Sequence, residues 1–313
     1  MQVEVHAERS AGTCRQSRCY PTELLRKLLP PLLISVWTLL TPQPLGANEN
    51  TNLFCNVNTS QPLIRQIAGY TVRLQVDQAQ RCVAVITDNK SKREVFTISD
   101  QNMNLDRHSG ERISGGESPD VVLFSYPEAG RESFLYTIAS LGKRFEVLKE
   151  ITNSDFVDFK SLEKNGPIYL ITHDGKLDAF LKNELHTDFY YVIKPDVILR
   201  LDDRKLLNAS TCFARTYDAQ TTAVREALTA HDIAQFLKAP ALEKNDGIKA
   251  TILGLLLNYL YSGREQQAWQ ALHEMWPADD QERLKKALLA VYHTGILAQT
   301  DGRDRCDEQH SPK

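Results

Sequence analysis

The chain has 313 residues and balanced charges, with 37 Lys and Arg against 40 Asp and Glu and a net charge of −3. Phosphate binding requires clustered Lys and Arg, and no such cluster occurs, so we predict no nucleic-acid partner. The nearest basic group, Lys90, Lys92 and Arg93, is typical of a hairpin turn. The length is sufficient for one large domain or two ordinary ones.

An apolar run at residues 28–40 follows two basic residues and precedes small residues that end at Ala47. A basic flank, an apolar stretch shorter than the ~20 residues of a spanning helix, and small residues after it form a secretory signal. We therefore predict that residues 1–47 are a leader with a signal peptide, and that the exported chain has no stable membrane span. An uncleaved anchor is the alternative. The predicted location is periplasmic or extracellular.

Four cysteines follow the leader: Cys55, Cys82, Cys212 and Cys306. Thiols outside the cytoplasm tend to pair, and four cysteines allow three connectivities that the spacing does not rank. We predict at least one structural disulfide, with free buried thiols as the alternative. No two of the four form a C-x-x-C pair, so a redox or zinc motif is not indicated.

Short β-branched and aromatic runs separated by polar turns extend from residue 70 to about residue 207, and they predict consecutive antiparallel strands. Asp202 and Asp203 are typical of a turn between two of them. We interpret residues 48–215 as an antiparallel β-domain, either a sandwich or partly propeller-like. The predicted strands are 70–76, 82–87, 95–98, 121–126, 134–140, 145–148, 168–172 and 197–201.

After Cys212 the apolar period changes from two to 3.6, which indicates helices. One apolar stripe begins at Leu253, another follows Gly263, and a third begins at Leu284; an earlier helix is predicted over 223–237. Residues 216–300 are therefore predicted to form a C-terminal helical bundle, and the fold class is α+β. The polar tail at 301–313 is expected to be mobile unless Cys306 ties it down.

Several short motifs resemble a family of exported bacterial proteins of undetermined function, with degenerate FG-GAP-like, propeller-type strands and a helical C-terminal region. The resemblance spans roughly residues 119–276 and implies a propeller-type β-region without an established activity. The motifs that carry it are 118–122, 138–142, 156–158, 260–263, 268–269 and 276–277.

Two segments depart from that family's pattern. Residues 127–132 read Pro-Glu-Ala-Gly-Arg-Glu, where the family tends to have a glycine-rich segment with a cysteine. Lys160 stands where the family's acidic turn would have a second carboxylate, and a cation there would repel calcium. We therefore expect residues 158–166 to form a plain turn.

One segment has the spacing of metal ligands. Alternating oxygen ligands closed by a Glu at the twelfth position are typical of a calcium loop. Leu105 stands in place of the turn glycine, and the residues before the loop predict a strand instead of a helix. Calcium is the only cofactor indicated, and the alternative is a solvated polar loop. The candidate ligands are Asp100, Asn102, Asn104, Asp106 and Glu111.

No catalytic motif stands out. His173 and Asp174 could act in acid-base chemistry, but Asp174 followed by glycine after a strand is typical of a turn. His273 begins like a zinc-protease helix, yet Pro277 occupies the position of the second histidine. Carboxylate pairs of the glycosidase kind are distant in sequence, so a sequence without a motif still permits them.

Phe189, Tyr190 and Tyr191 could form an exposed aromatic patch for a glycan or a protein partner, with core packing as the alternative. We predict a non-catalytic interaction or structural module of the cell envelope or extracellular space. The alternative function is a secreted hydrolase with a dispersed acidic site. A pocket with two carboxylates of separated pKa would favour the hydrolase, whereas an exposed aromatic patch would favour binding.

Overall fold

The computed structural model describes residues 51–126, 133–164, 166–185 and 194–306. The predicted leader, the segment 127–132, and Phe189, Tyr190 and Tyr191 lie outside these residues. The described residues belong to one compact unit. Antiparallel sheets come first along the chain and helices follow, which confirms the α+β class.

The strands are β1 (Leu53–Cys55), β2 (Leu63–Ile67), β3 (Tyr70–Val76), β4 (Cys82–Asp88), β5 (Arg93–Asp100), β6 (Met103–Leu105), β7 (Asp120–Ser125), β8 (Phe134–Leu141), β9 (Phe145–Asn153), β10 (Asp158–Ser161), β11 (Ile168–Thr172), β12 (Val197–Asp202), β13 (Lys205–Asn208) and β14 (Gly302–Arg303). The α-helices are α1 (Lys176–Glu184), α2 (Ala214–Ala227), α3 (Ala230–Lys238), α4 (Asp246–Tyr261), α5 (Glu265–Met275) and α6 (Gln281–Thr294). Three short 3-10 helices are η1 (Ser210–Phe213), η2 (Glu243–Asn245) and η3 (Ile296–Gln299).

The described strands form three sheets. The first has the order β2-β3-β4-β5, the second β1-β6-β7-β8-β9, and the third β10-β11-β12-β13-β14. All pairings are antiparallel except that of β14, which runs parallel to β13. Most neighbours in a sheet are consecutive in sequence, so short polar turns join them, as the alternating pattern predicts.

The strands that the sequence predicts at 70–76 and 168–172 have the same bounds in the structure, and non-strand residues bound both of them. The sequence pattern did not predict five of the strands: β1, β2, β6, β10 and β14. These strands have two to five residues each. In β6 all three residues are buried, so no alternation marks it. The first four residues of the expected plain turn at 158–166 form β10, because they pair with β11.

The predicted helix at 223–237 is wrong in its extent, because two helices occupy this region. Helix α2 ends at Ala227, and α3 begins after Thr229. The Thr229 side chain accepts a hydrogen bond from the Asp232 backbone N–H, and Asp232 bonds back to the Thr229 N–H. This capping box specifies a new helix start inside the apolar pattern. Helix α1, between β11 and β12, was not predicted.

The helices and the second and third sheets share one hydrophobic core. Tyr136 of β8, Phe159 of β10 and Leu199 of β12 are buried in the same cluster as Leu256 of α4 and Leu272 of α5. A second cluster fills the space between the first and second sheets. Among the described helices, none is both long and apolar enough to cross a bilayer.

Two disulfides confirm the prediction that cysteines pair. Cys55 of β1 is bonded to Cys82 of β4, so this bond joins the first and second sheets. Cys212 of η1 is bonded to Cys306, whose segment follows β14. The described start of the predicted polar tail is therefore fastened to the third sheet by β14 and to η1 by the disulfide.

Candidate functional site

Four aromatic side chains, Phe54, Tyr126, Phe134 and Phe156, form a surface that we call the aromatic patch. The Phe134 and Phe156 ring centroids are 4.3 Å apart, and the Tyr126 ring lies 5.3 Å from Phe54, 5.5 Å from Phe134 and 6.3 Å from Phe156. Phe156 is 55% exposed and Phe54 is 43% exposed. Tyr126 is partly buried and Phe134 is buried, so the two exposed rings are joined through rings that are more deeply packed. Exposed large apolar side chains of this kind are typical of an interaction surface.

Strand alternation and core packing explain why these rings meet. Leu53 and Cys55 of β1 point inward, so Phe54 between them points outward. Below the patch, Phe124 is stacked on Tyr136 with centroids 5.1 Å apart. The buried Tyr136 hydroxyl accepts a hydrogen bond from the backbone N–H of Val157, 3.0 Å away, which holds the loop that presents Phe156. The patch therefore rests on a packed aromatic layer.

A cluster of charged residues borders the patch through Asp155, the neighbour of Phe156. His173 Nδ1 lies 3.4 Å from Asp155 Oδ2, and His173 Nε2 lies 3.2 Å from Asp196 Oδ1. The Lys194 ammonium is 3.3 Å from the same Asp155 oxygen. Asp155 Oδ1 accepts the Phe156 backbone N–H at 2.9 Å. The charge cluster thus fixes the backbone from which one patch ring projects.

His173 forms a charged clamp, because its two ring nitrogens face the carboxylates of Asp155 and Asp196. Hydrogen bonds to Asp155 and then to Asp196 raise the pKa of His173 from 6.5 to about 9. The hydrogen bond from His173 is also the main cause that lowers the pKa of Asp155 from 3.8 to about 2. At neutral pH this favours the imidazolium, whose two N–H groups face the two carboxylates.

The ion pair between His173 and Asp155 makes a contribution to stability that depends on pH and can be tested. Because the folded-state pKa of His173 is raised, its contribution is complete below about pH 6.5 and is lost as the pH rises through about 9. Because the pKa of Asp155 is lowered, its contribution is complete above about pH 4 and is lost as the pH falls through about 2. The side chain of His173 is 40% exposed, so solvent screening limits the effect to about 1 kcal/mol.

We therefore expect His173→Gln to destabilise the protein most between about pH 4 and 6.5 and to match the parent above about pH 9. Urea unfolding at a series of pH values measures this difference. His231→Gln, on the exposed start of α3, is the control and should show no such profile. A His173→Gln difference that grows above pH 9 would contradict the clamp.

Asp174 is fully buried and joins the sheet to the helices. Its Oδ2 accepts hydrogen bonds from the Tyr261 hydroxyl at 2.7 Å and from the Ile296 backbone N–H at 3.2 Å. Its Oδ1 accepts the Lys176 N–H at 3.0 Å, so the predicted turn also begins helix α1. Burial raises the pKa of Asp174. The turn was predictable from the sequence, but these partners, 87 and 122 residues distant, were not.

The candidate calcium ligands lie on strands and turns. Asp100 ends β5, and Asn104 in β6 is paired with Phe54 and Phe124. The other three candidates, Asn102, Asp106 and Glu111, lie on the flanking turns, and Asp106 Oδ1 accepts the His108 backbone N–H at 2.8 Å. In the described ranges, no three Asp, Glu, His or Cys side chains are grouped as metal ligands.

The alternative of a solvated loop does not describe this segment, because Asp100, Asn104 and Asp106 are buried. Glu111 is engaged with His108, whose Nδ1 lies 3.1 Å from the carboxylate. Calcium binding stays a prediction. Lys160, which stands where the resembling family would have a second carboxylate, has its ammonium 3.9 Å from the Asp158 carboxylate. The Arg107 guanidinium lies 3.8 Å from the same carboxylate.

No protein-family model, curated protein or solved structure matches this chain.

Proposed function

We propose that the protein is an exported, non-catalytic interaction module and that the aromatic patch is its binding surface. The observation that carries this proposal is the exposure of Phe54 and Phe156, which are in ring contact with Tyr126. A folded protein gains free energy by burying such rings, so rings left on the surface favour a role in binding.

The charges around the patch favour a neutral partner. Asp155 is paired with His173 and Lys194, and Asp158 is near Arg107 and Lys160. A strongly charged polymer would have to compete with these pairs, whereas a neutral one would leave them intact. The patch therefore suits a neutral glycan better than a charged one.

A β-1,4-linked glycan has the complementary chemistry. Its pyranose rings carry equatorial substituents, so each face presents axial C–H groups. These groups complement the negative face of an aromatic ring, and the glycan's hydroxyl groups can bond to neighbouring polar side chains. Two exposed phenylalanine rings supply such faces, and the exposed fraction of His173 and Asp155 supplies polar groups beside them.

Several features support export. Residues 28–40 have the pattern of a secretory signal, and two disulfides are typical of an oxidising compartment. Each of the three sheets contains four consecutive antiparallel strands, and such meanders support the resemblance to propeller-type proteins. The alternative hydrolase lacks such support, because the two carboxylates Asp155 and Asp196 of the charge cluster face the same histidine.

Calorimetric titration of the oxidised protein with chitohexaose and cellohexaose tests the proposal. We expect at least one hexasaccharide to bind. The double variant with Phe54→Ala and Phe156→Ala should weaken this binding by about tenfold or more, because each ring supplies stacking area. Leu242→Ala is the matched control, since Leu242 is 47% exposed and lies outside the patch. The absence of binding, or an equal loss in the control, would overturn the glycan assignment.

A further inference from the structure

A cleft of about 390 Å³ lies between the helical region and the last described strand. Tyr292 and His293 of α6 and Leu297 of η3 line it from the helices, while Asn208 of β13 and Arg303 of β14 line it from the third sheet. This volume lies within the range of roughly 300–1,000 Å³ that is typical of small-molecule sites. None of these residues belongs to the aromatic patch.

Within the described residues, the lining of the cleft contains a positively charged group that has no carboxylate partner. Asp301, the carboxylate in its lining, lies 2.7 Å from the Lys149 ammonium and accepts the Leu206 backbone N–H at 2.8 Å. Among the described residues, no carboxylate lies within 4.0 Å of Arg303 or His293. The Arg303 guanidinium is therefore available to an incoming anion.

Several other arginines of the described residues are paired with carboxylates. Arg200 lies 2.6 Å from Asp304, and Arg283 lies 2.6 Å from Glu184. Arg264 is likewise paired with Asp218. Arg303 lines the cleft, and none of the described carboxylates pairs with it. A guanidinium is well suited to hold a carboxylate through two parallel hydrogen bonds.

The strand that carries Arg303 is held firmly on both sides. The Asp301 N–H donates to the Leu206 carbonyl at 2.7 Å, and the Asp304 N–H donates to the Asn208 carbonyl at 2.9 Å. The Cys212–Cys306 disulfide then fastens the chain three residues after Arg303. Because the backbone is already ordered in the free protein, ligand binding does not have to offset the entropy cost of ordering it.

The helical wall is mostly apolar. Leu297 is partly buried, and the Tyr292 ring contacts both the Tyr261 ring at 5.4 Å and the His293 ring at 5.3 Å. A ligand that combines one negative group with an apolar body therefore matches both walls. We propose that this cleft binds a small organic carboxylate, whose anionic end is held by Arg303 and whose apolar part packs on Tyr292 and Leu297.

Such a carboxylate has two sources, a free aromatic acid and the C-terminal residue of a peptide. Calorimetric titration with 3-phenylpropionate and with N-acetyl-alanyl-phenylalanine distinguishes them, because the tighter probe identifies the source. The neutral amide, 3-phenylpropionamide, measures the contribution of charge. We expect at least one acid to bind at least about tenfold more tightly than this amide, in keeping with a charge-assisted hydrogen bond.

Arg303→Gln should weaken binding of the acid by about tenfold or more, whereas Arg305→Gln should leave it unchanged. Both side chains are exposed, so neither change should prevent folding. Failure of both acids to bind at about 10 mM would overturn the proposal. Equal weakening by the two variants, or equally tight binding of inorganic phosphate, would overturn it too. These results leave the glycan proposal untouched, because they concern another surface and another ligand.

Discussion

Replacing Cys212 by serine is expected to lower the free energy of unfolding by about 4.5 kcal/mol, because its disulfide closes a long loop and so restricts the unfolded chain. The Cys212–Cys306 bond spans 94 residues, so its loss frees a long segment of the unfolded chain. In the folded state it also releases the segment that carries β14 and the Arg200–Asp304 ion pair. Urea unfolding of the oxidised parent and variant measures the difference.

Matched variants separate this effect from a local one. Cys306→Ser should equal Cys212→Ser, and the double variant should be no worse, because all three remove the same bond. Cys55→Ser opens a loop of 27 residues and should cost about 3.5 kcal/mol by the same relation. Losses below about 1 kcal/mol for Cys212→Ser would show that the disulfide does not stabilise the fold.

Gly295→Ala is expected to destabilise the protein by about 3 kcal/mol, because the new methyl group has no space. A Cβ at Gly295 would overlap the Asp174 carboxylate. That carboxylate cannot move without losing its hydrogen bonds from Tyr261 and Ile296. Thermal or urea unfolding measures the loss of stability. The same change should disturb the junction between β11, α4 and η3.

Gly247→Ala is the control for this change. Gly247 lies in the first turn of α4, and a Cβ there meets no atom within 4 Å. Alanine is the better helix former by about 1 kcal/mol, so this variant should be as stable as the parent or slightly more so. If Gly295→Ala were equally harmless, the proposed packing of Asp174 against Gly295 would be contradicted.

The fold class was predictable because local patterns specify most elements. Alternation over Tyr70–Val76 and a 3.6 period from Leu253 need no distant partner to be recognised. Strands such as β6 and β10 were missed because pairing with β1, β7 and β11 defines them. The break between α2 and α3 depends on one capping box, which a long apolar pattern conceals.

The candidate site was only partly predictable. The sequence drew attention to His173 and Asp174, but it indicated a simple turn and not the carboxylates on both sides of the imidazole. Phe54, Tyr126, Phe134 and Phe156 are separated by up to about a hundred residues, so only the fold brings their rings together. Phe156 lies in the motif at 156–158, which is one of those that carry the family resemblance. That motif did not indicate that the ring is exposed.

The central claim, that the aromatic patch binds a neutral glycan, is tested most directly by aromatic ¹³C NMR of the oxidised protein during titration with chitohexaose. We expect the largest shift changes at Phe54 and Phe156, smaller ones at Tyr126 and Phe134, and none at the Phe96–Phe145 ring pair, which lies outside the patch. Changes confined to Phe96 and Phe145, or no change at about 10 mM ligand, would contradict the account.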